Sequence, residues 1–204
     1  MELVVTLAGA ATIALAWTAI RRGAGVWATM TPTLVAIGTA GVLVRPPVFS
    51  GSVGAGVAAA VGLAAGVALF AATRLFIVVT ARWRGFREDA DRVYRSTTDH
   101  PLAIILALTV LSVTFEELFW RGLVQPRFAQ SVAPLTAAAG TWVLAVAANA
   151  ASGSISIVLG AAVGGAAWVA LSAWSGGVLA PLCCHLVWTT AMVVVGRGGE
   201  EATR

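Results

Sequence analysis

Charge is scarce in this chain. Asp, Glu, Lys and Arg make up 11% of its 204 residues, against about 25% in an ordinary soluble domain. With 59% of residues hydrophobic, that scarcity excludes a soluble globular fold. Lysine is absent, so all 13 basic residues are arginine, and the net charge is only +4. The arginines gather between apolar runs. Such positive charge reports topology and lipid headgroup contact, and nucleic acid is not an expected partner. Cysteine is limited to Cys183 and Cys184. On a helix these neighbours point about 100° apart, are poorly placed to pair, and read as small apolar filler. Only two histidines occur, His100 and His185, and no HExxH is present. A zinc ion wants three or four ligands. A divalent metal would have to recruit Glu116, Glu117, His185 and a cysteine, and this ligand count does not support one. No cofactor is expected. No soluble-type repeat is found.

What fills the chain is apolar runs of about 18 residues or more, each long enough to cross a bilayer as a helix. The expected fold is all-α, a polytopic transmembrane helical bundle forming a single membrane domain over 1–204. Seven spans are expected, near 3–20, 26–44, 54–80, 101–124, 132–150, 155–173 and 176–196. RPPVFSGS at 45–52, ASGS at 151–154 and SGG at 175–177 separate several of them. The N-terminal run has Glu2 before it and Arg21-Arg22 after it. A cleaved signal has the opposite order, so a retained span is expected. Arg21 and Arg22 share a side with Arg82, Arg84, Arg87, Arg92 and Arg95, and with seven spans Arg197 and Arg204 fall there too. The arginine-rich side is cytoplasmic. The chain is therefore expected in the cell membrane, a bacterial inner membrane, with its N-terminus outside and its C-terminus in the cytoplasm.

The polar segment 81–100 is an amphipathic connector. Trp83, Phe86, Ala90, Val93 and Tyr94 fall on one helical face, and arginines and acids on the other. Over 81–99 it reads either as an interfacial helix lying on the membrane or as a solvated connector. Gly62 with Gly66, and Gly160 with Gly164, are small pairs that let helices approach closely in lipid.

The informative residues are the polar ones inside spans. Glu116, Glu117 and Arg121 close an apolar run, in FEELFWR. Each unpaired charge at mid-span costs roughly 2.5–3.5 kcal/mol. These three are therefore paired, interfacial or facing a wet cavity. Glu117 and Arg121 share a helical face four residues apart and can pair, which leaves Glu116 without a partner in the motif. Alternatively the span ends near residue 115 and all three charges are interfacial. Asn149, the only asparagine, reads as interhelical glue or as a site residue. His185 and Thr189 share a face one turn beyond Pro181, which loosens that helix. His185 is either a packed, hydrogen-bonded group or, beside a glutamate, a catalytic one. His100 lies about 24 Å of helix from Glu116, too far to join it. Arg74 either snorkels to the interface or pairs with an acid.

Together these motifs resemble the CAAX protease and bacteriocin-processing (CPBP, or Abi) family of intramembrane endopeptidases. Glu116-Glu117-x-x-x-Arg121 in FEELFWRGLV resembles its first motif. VLGAAVGGAAWVALSAWSGGVLAPLCCHLVWTT resembles its final two spans, a Gly-rich span, a small turn and a span with His-x-x-x-Asn. The resemblance covers 105–195, a CPBP-like catalytic core region. It implies an integral membrane peptidase that hydrolyses a peptide bond near the membrane surface. The implied partners are the bilayer and a peptide or protein substrate, lipidated or not. Carried over residue by residue, Glu116 activates water, Glu117 with Arg121 supports it, and His185 with Thr189 holds the oxyanion. The family's second motif, Phe-x-x-x-His, falls on Ala145 and Asn149. Asparagine orients a water without taking its proton, and Thr189 stands where the family has asparagine. Glu116 would then work alone. The alternative expectation is a catalytically impaired relative that binds a peptide or membrane-protein partner. A small transporter fits the order of polar residues less well.

Overall fold

The computed structural model describes residues 1–80, 82–95 and 100–201, and their side chains except at 86, 87, 91, 93–95 and 197–201. Among these residues the protein is helical, without strands. The helices are α1 (Glu2–Arg21), α2 (Val26–Val44), α3 (Ala55–Val79), α4 (Arg84–Arg95), α5 (Leu102–Phe119), α6 (Gln125–Ala129), α7 (Pro134–Ala150), α8 (Ile155–Ser175) and α9 (Leu179–Glu201). A π-helical turn, Trp120–Val124, joins α5 to α6 without a break.

Local chemistry sets several of these ends. Pro134 opens α7, a position where a missing N–H costs nothing. The Ser154 hydroxyl caps α8 by accepting the Ile157 N–H at 3.2 Å. Gly176 ends α8 in the left-handed region, at φ 70°, where a side chain would be strained.

Six helical segments are long and apolar enough to span a membrane: α1, α2, α3, the continuous run Leu102–Ala129, α8 and Leu179–Gly196 of α9. The seventh expected span, 132–150, is the shorter apolar helix α7, of 17 residues. Pro134 starts it two residues late, and it ends at the expected 150. Among the described residues the protein is thus a polytopic helical bundle with six candidate spans and one shorter apolar helix. The fourth span runs five residues past the expected 124. Its extension removes the alternative in which the span ends near 115, because Glu117 and Arg121 lie inside it at 0% and 2% exposure.

Phe119, Trp120, Leu123 and Val124 form the buried centre, against Ile13, Leu34 and Ile37 of α1 and α2 and Ala145 and Ala148 of α7. α3 packs along α9, and α2 along α5. The Gly62 and Gly66 pair does what its spacing predicts. A β-carbon at Gly66 would sit 2.7 Å from the Cys184 carbonyl oxygen and from Val187 Cβ, and one at Gly62 would collide with the Ala180 carbonyl. Gly66→Val should therefore cost about 1–3 kcal/mol by overpacking. A thermal-shift measurement in detergent with an unchanged midpoint would refute this packing.

Gly160 and Gly164 serve differently. Their open faces meet the rings of Trp188 and Trp168, not a neighbouring backbone.

The connector forms helix over Arg84–Arg95, inside the expected 81–99. Residues 81 and 96–99, and the side chains of Phe86, Val93 and Tyr94, lie outside the described residues. α4 is fastened to the start of α8. Asp89 Oδ2 accepts the Ser154 hydroxyl at 2.7 Å and the Ser156 N–H at 2.8 Å. Burial alone would raise the Asp89 carboxyl pKa. The bonds from Ser156 and Ser154, with the Arg92 charge, outweigh it and hold the carboxyl below its usual range. A depressed folded-state pKa contributes stability that is full above the unfolded value and is lost as pH falls through the folded one. Cleavage of the 80–101 segment by an acid-active protease should accelerate on acidification below about pH 4. With a protease active at neutral pH, Asp89→Asn should be cleaved in this segment faster than the wild type.

Candidate active site

The site grows from one carboxylate oxygen. Glu117, on the last turn of α5, is fully buried, and its Oε1 lies within hydrogen-bond distance of two side chains. Arg121 Nη1 donates from four residues on, at 3.0 Å, and His185 Nδ1 lies 2.7 Å away from across the bundle on α9. Arg121 Nη2 reaches the Gly165 carbonyl on α8 at 3.4 Å. One turn later Gln125 Nε2 donates to the Val169 carbonyl at 3.1 Å. Two polar side chains of the fourth span thereby clamp α8, on which the next wall of the site stands.

That wall is Trp168. Its ring stacks on the His185 imidazole with centroids 3.5 Å apart and planes 17° from parallel. The Arg121 guanidinium carbon lies 5.4 Å from the same ring, within cation–π range. Trp188 meets Trp168 edge to face at 5.6 Å and donates its Nε1 proton to Thr73 of α3 at 3.0 Å. His185 is 4% exposed, and one face and one nitrogen of its ring are set by Trp168 and Glu117.

Glu116 is different. It is only partly buried, and its carboxylate makes no hydrogen bond or ion pair with a described residue. Its electrostatic neighbours are His185, Glu117 and Arg121. Among the residues of the site, three further buried polar atoms make no hydrogen bond with a described residue: Glu117 Oε2, Arg121 Nε and the Thr189 hydroxyl. A free carboxylate beside unmet donors and acceptors is suited to hold and polarise a water.

Of the residues expected at the site, Glu117, Arg121 and His185 are joined by hydrogen bonds, Glu116 lies in their field, and Thr189 follows His185 one turn along α9. Asn149 is not joined to them. Its Oδ1 accepts the Trp17 Nε1 proton of α1 at 2.8 Å, and its amide donates to the Ala145 carbonyl at 2.9 Å. This is the interhelical glue. Asn149→Leu should cost about 0.5–1.5 kcal/mol for the lost Trp17 bond, read as a lower melting midpoint in detergent. Arg74 is half-buried and pairs with no described acid. Reading the sequence missed Trp168, Trp188 and Gln125. Gln125 carried a signal, a lone amide one turn beyond Arg121. The tryptophans carried one only in hindsight, because glycines stand opposite their rings.

A family model decides what this geometry resembles. Residues 98–191 match the Rce1-like family, described as type II CAAX prenyl endopeptidase Rce1-like. The matched segment holds every member of the site just described except Thr73, and it agrees with the CPBP resemblance of the motifs. No curated protein and no solved structure gives a significant match. The Rce1-like match and the membrane helices together support an intramembrane CAAX-type protease in a multi-pass membrane protein.

Proposed function

We propose that the protein is an integral membrane endopeptidase of CAAX type that hydrolyses a peptide bond near the membrane surface with a water activated by Glu116. The observation that carries this reading is the contrast between the two glutamates. Glu117 is engaged by Arg121 and His185, whereas Glu116 has no hydrogen-bond or ion-pair partner among the described residues. Glu117 and Arg121 position the site, and Thr189 offers a hydroxyl proton to the tetrahedral oxyanion. The substrate is a peptide or protein segment, lipidated or not, reached from the bilayer. The reading invokes no metal, because the ligand count does not support one; activity should survive chelation, and loss restored by added zinc would refute a water held by protein groups alone.

The reading places the protein in a bacterial inner membrane with the arginine-rich end of the bundle in the cytoplasm. Arg21, Arg22, Arg82, Arg84 and Arg92 lie at that end, where α1, α3 and α4 terminate or begin.

A second reading draws on Asn149. The family's second histidine falls there, and the amide is turned to Trp17. A relative without that base would bind a peptide or membrane-protein partner and release it uncut. Cleavage of prenylated and plain peptides by the purified protein, beside Glu116→Ala, separates the two. Product above the Glu116→Ala background supports the peptidase. Binding without product supports the second reading.

A further inference from the structure

We propose that the groove between α1, α6 and α7 binds one anionic phospholipid, with its phosphate on Arg127 and an acyl chain along the apolar walls. The cavity has a volume of about 330 Å³, at the small end of the roughly 300–1,000 Å³ of ligand sites. Leu3, Phe128 and Val132 form its walls, and Arg127 and Ser131 stand at its mouth. The mouth lies where α1 begins, α2 and α6 end and α7 begins, so it meets the headgroup layer. Gly140 lines the inner end, about 9 Å of helix beyond Pro134, and the apolar arm therefore runs into the hydrocarbon. A β-carbon at Gly140 would sit 3.3 Å from the Phe128 ring, so the glycine keeps that end open.

The charge at the mouth selects the occupant. Glu2 gives both carboxylate oxygens to Arg45, whose Nε and Nη2 donate to them at 3.2 Å each. Arg127 comes second. Its Nε lies 3.8 Å from Glu2 Oε2, an ion pair too long for a hydrogen bond. Its Nη1 donates to the Ser131 hydroxyl at 3.2 Å, which aims the guanidinium. Its Nη2 makes no hydrogen bond with a described residue, and the side chain is 27% exposed. Two guanidinium groups on one carboxylate leave one positive charge at the edge of a low-dielectric layer. A phosphodiester supplies one negative charge and accepts from the guanidinium fork. An ammonium in the same headgroup would bring a like charge to Arg45 and Arg127, which favours a lipid of net negative charge. A peptide would set backbone N–H and C=O groups against apolar walls without partners, and free phosphate would leave the apolar arm unfilled. The inference rests on no catalytic assignment.

Native mass spectrometry and thermal shift of the full-length protein in detergent test this, with added phosphatidylglycerol, phosphatidylcholine or inorganic phosphate. Retained phosphatidylglycerol and a raised melting midpoint are expected for the wild type, with a weaker effect from phosphatidylcholine and none from phosphate. Arg127→Gln should weaken phosphatidylglycerol binding about tenfold or more, the effect of losing a charged hydrogen bond. Gly140→Leu fills the apolar arm, leaves Arg127 in place and should weaken binding as well. The two changes lie at opposite ends of the groove, so a variant that does not fold leaves the other to decide. Phosphatidylglycerol binding by either folded variant equal to that of the wild type would overturn the site. A midpoint shift from inorganic phosphate as large as that from phosphatidylglycerol would overturn the lipid and leave a bare anion site. Equal binding of phosphatidylcholine would overturn the choice of an anionic lipid.

Discussion

Replacing Glu116 by glutamine is expected to lower peptide cleavage by about 10²–10⁴-fold, the range of a lost general base, with the fold intact. The two halves of that expectation have separate causes. Glutamine is nearly isosteric and Glu116 makes no hydrogen bond or ion pair with a described residue, so nothing in the bundle loses a partner. The lost item is a negative charge and a proton-accepting oxygen next to His185. Turnover should fall, and the melting midpoint in detergent should stay within a few degrees. A variant that melts early would instead mean that Glu116 is structural.

Removing Arg121 should do the reverse. Arg121→Leu leaves the fully buried Glu117 without its cation, and breaking one side of a buried pair costs about 3–5 kcal/mol. It also frees the Gly165 carbonyl and the face of Trp168. The double variant Glu117→Leu with Arg121→Leu removes both charges and should be less destabilised than the sum of the two single changes. The double variant also takes Glu117 from His185, so cleavage is expected to be lost in it. Additive losses of stability would show that the two side chains do not form one unit.

Much of this was legible in the sequence, and the boundary between what was and was not is physical. Helical periodicity relates residues on one helix. It exposed the Glu117–Arg121 pair, isolated Glu116 and put His185 and Thr189 on one face. It also exposed Gly62 and Gly66 as a close-packing edge. The Glu117–His185 bond joins residues 68 apart, and the Trp17–Asn149 bond joins residues 132 apart. Such contacts depend on how each helix is turned about its axis, which a period of 3.6 does not determine. Asn149 shows the consequence. Its place in the motif order puts it beside Glu116, whereas its amide is turned to α1. The short α7 and the π turn at Trp120–Val124 escaped for a similar reason. Hydropathy measures apolar length, not where a proline starts a helix or where a turn widens.

The central claim is that this cluster hydrolyses peptide bonds. The most direct measurement is mass spectrometry of prenylated and plain peptides incubated with the purified wild-type protein in liposomes, with Glu116→Gln in parallel. The account predicts one internal cut, the gain of a water across the two fragments, and product from Glu116→Gln at about one hundredth of the wild-type rate or less. Intact peptide with the wild-type protein, or equal cleavage by the two proteins, would contradict it.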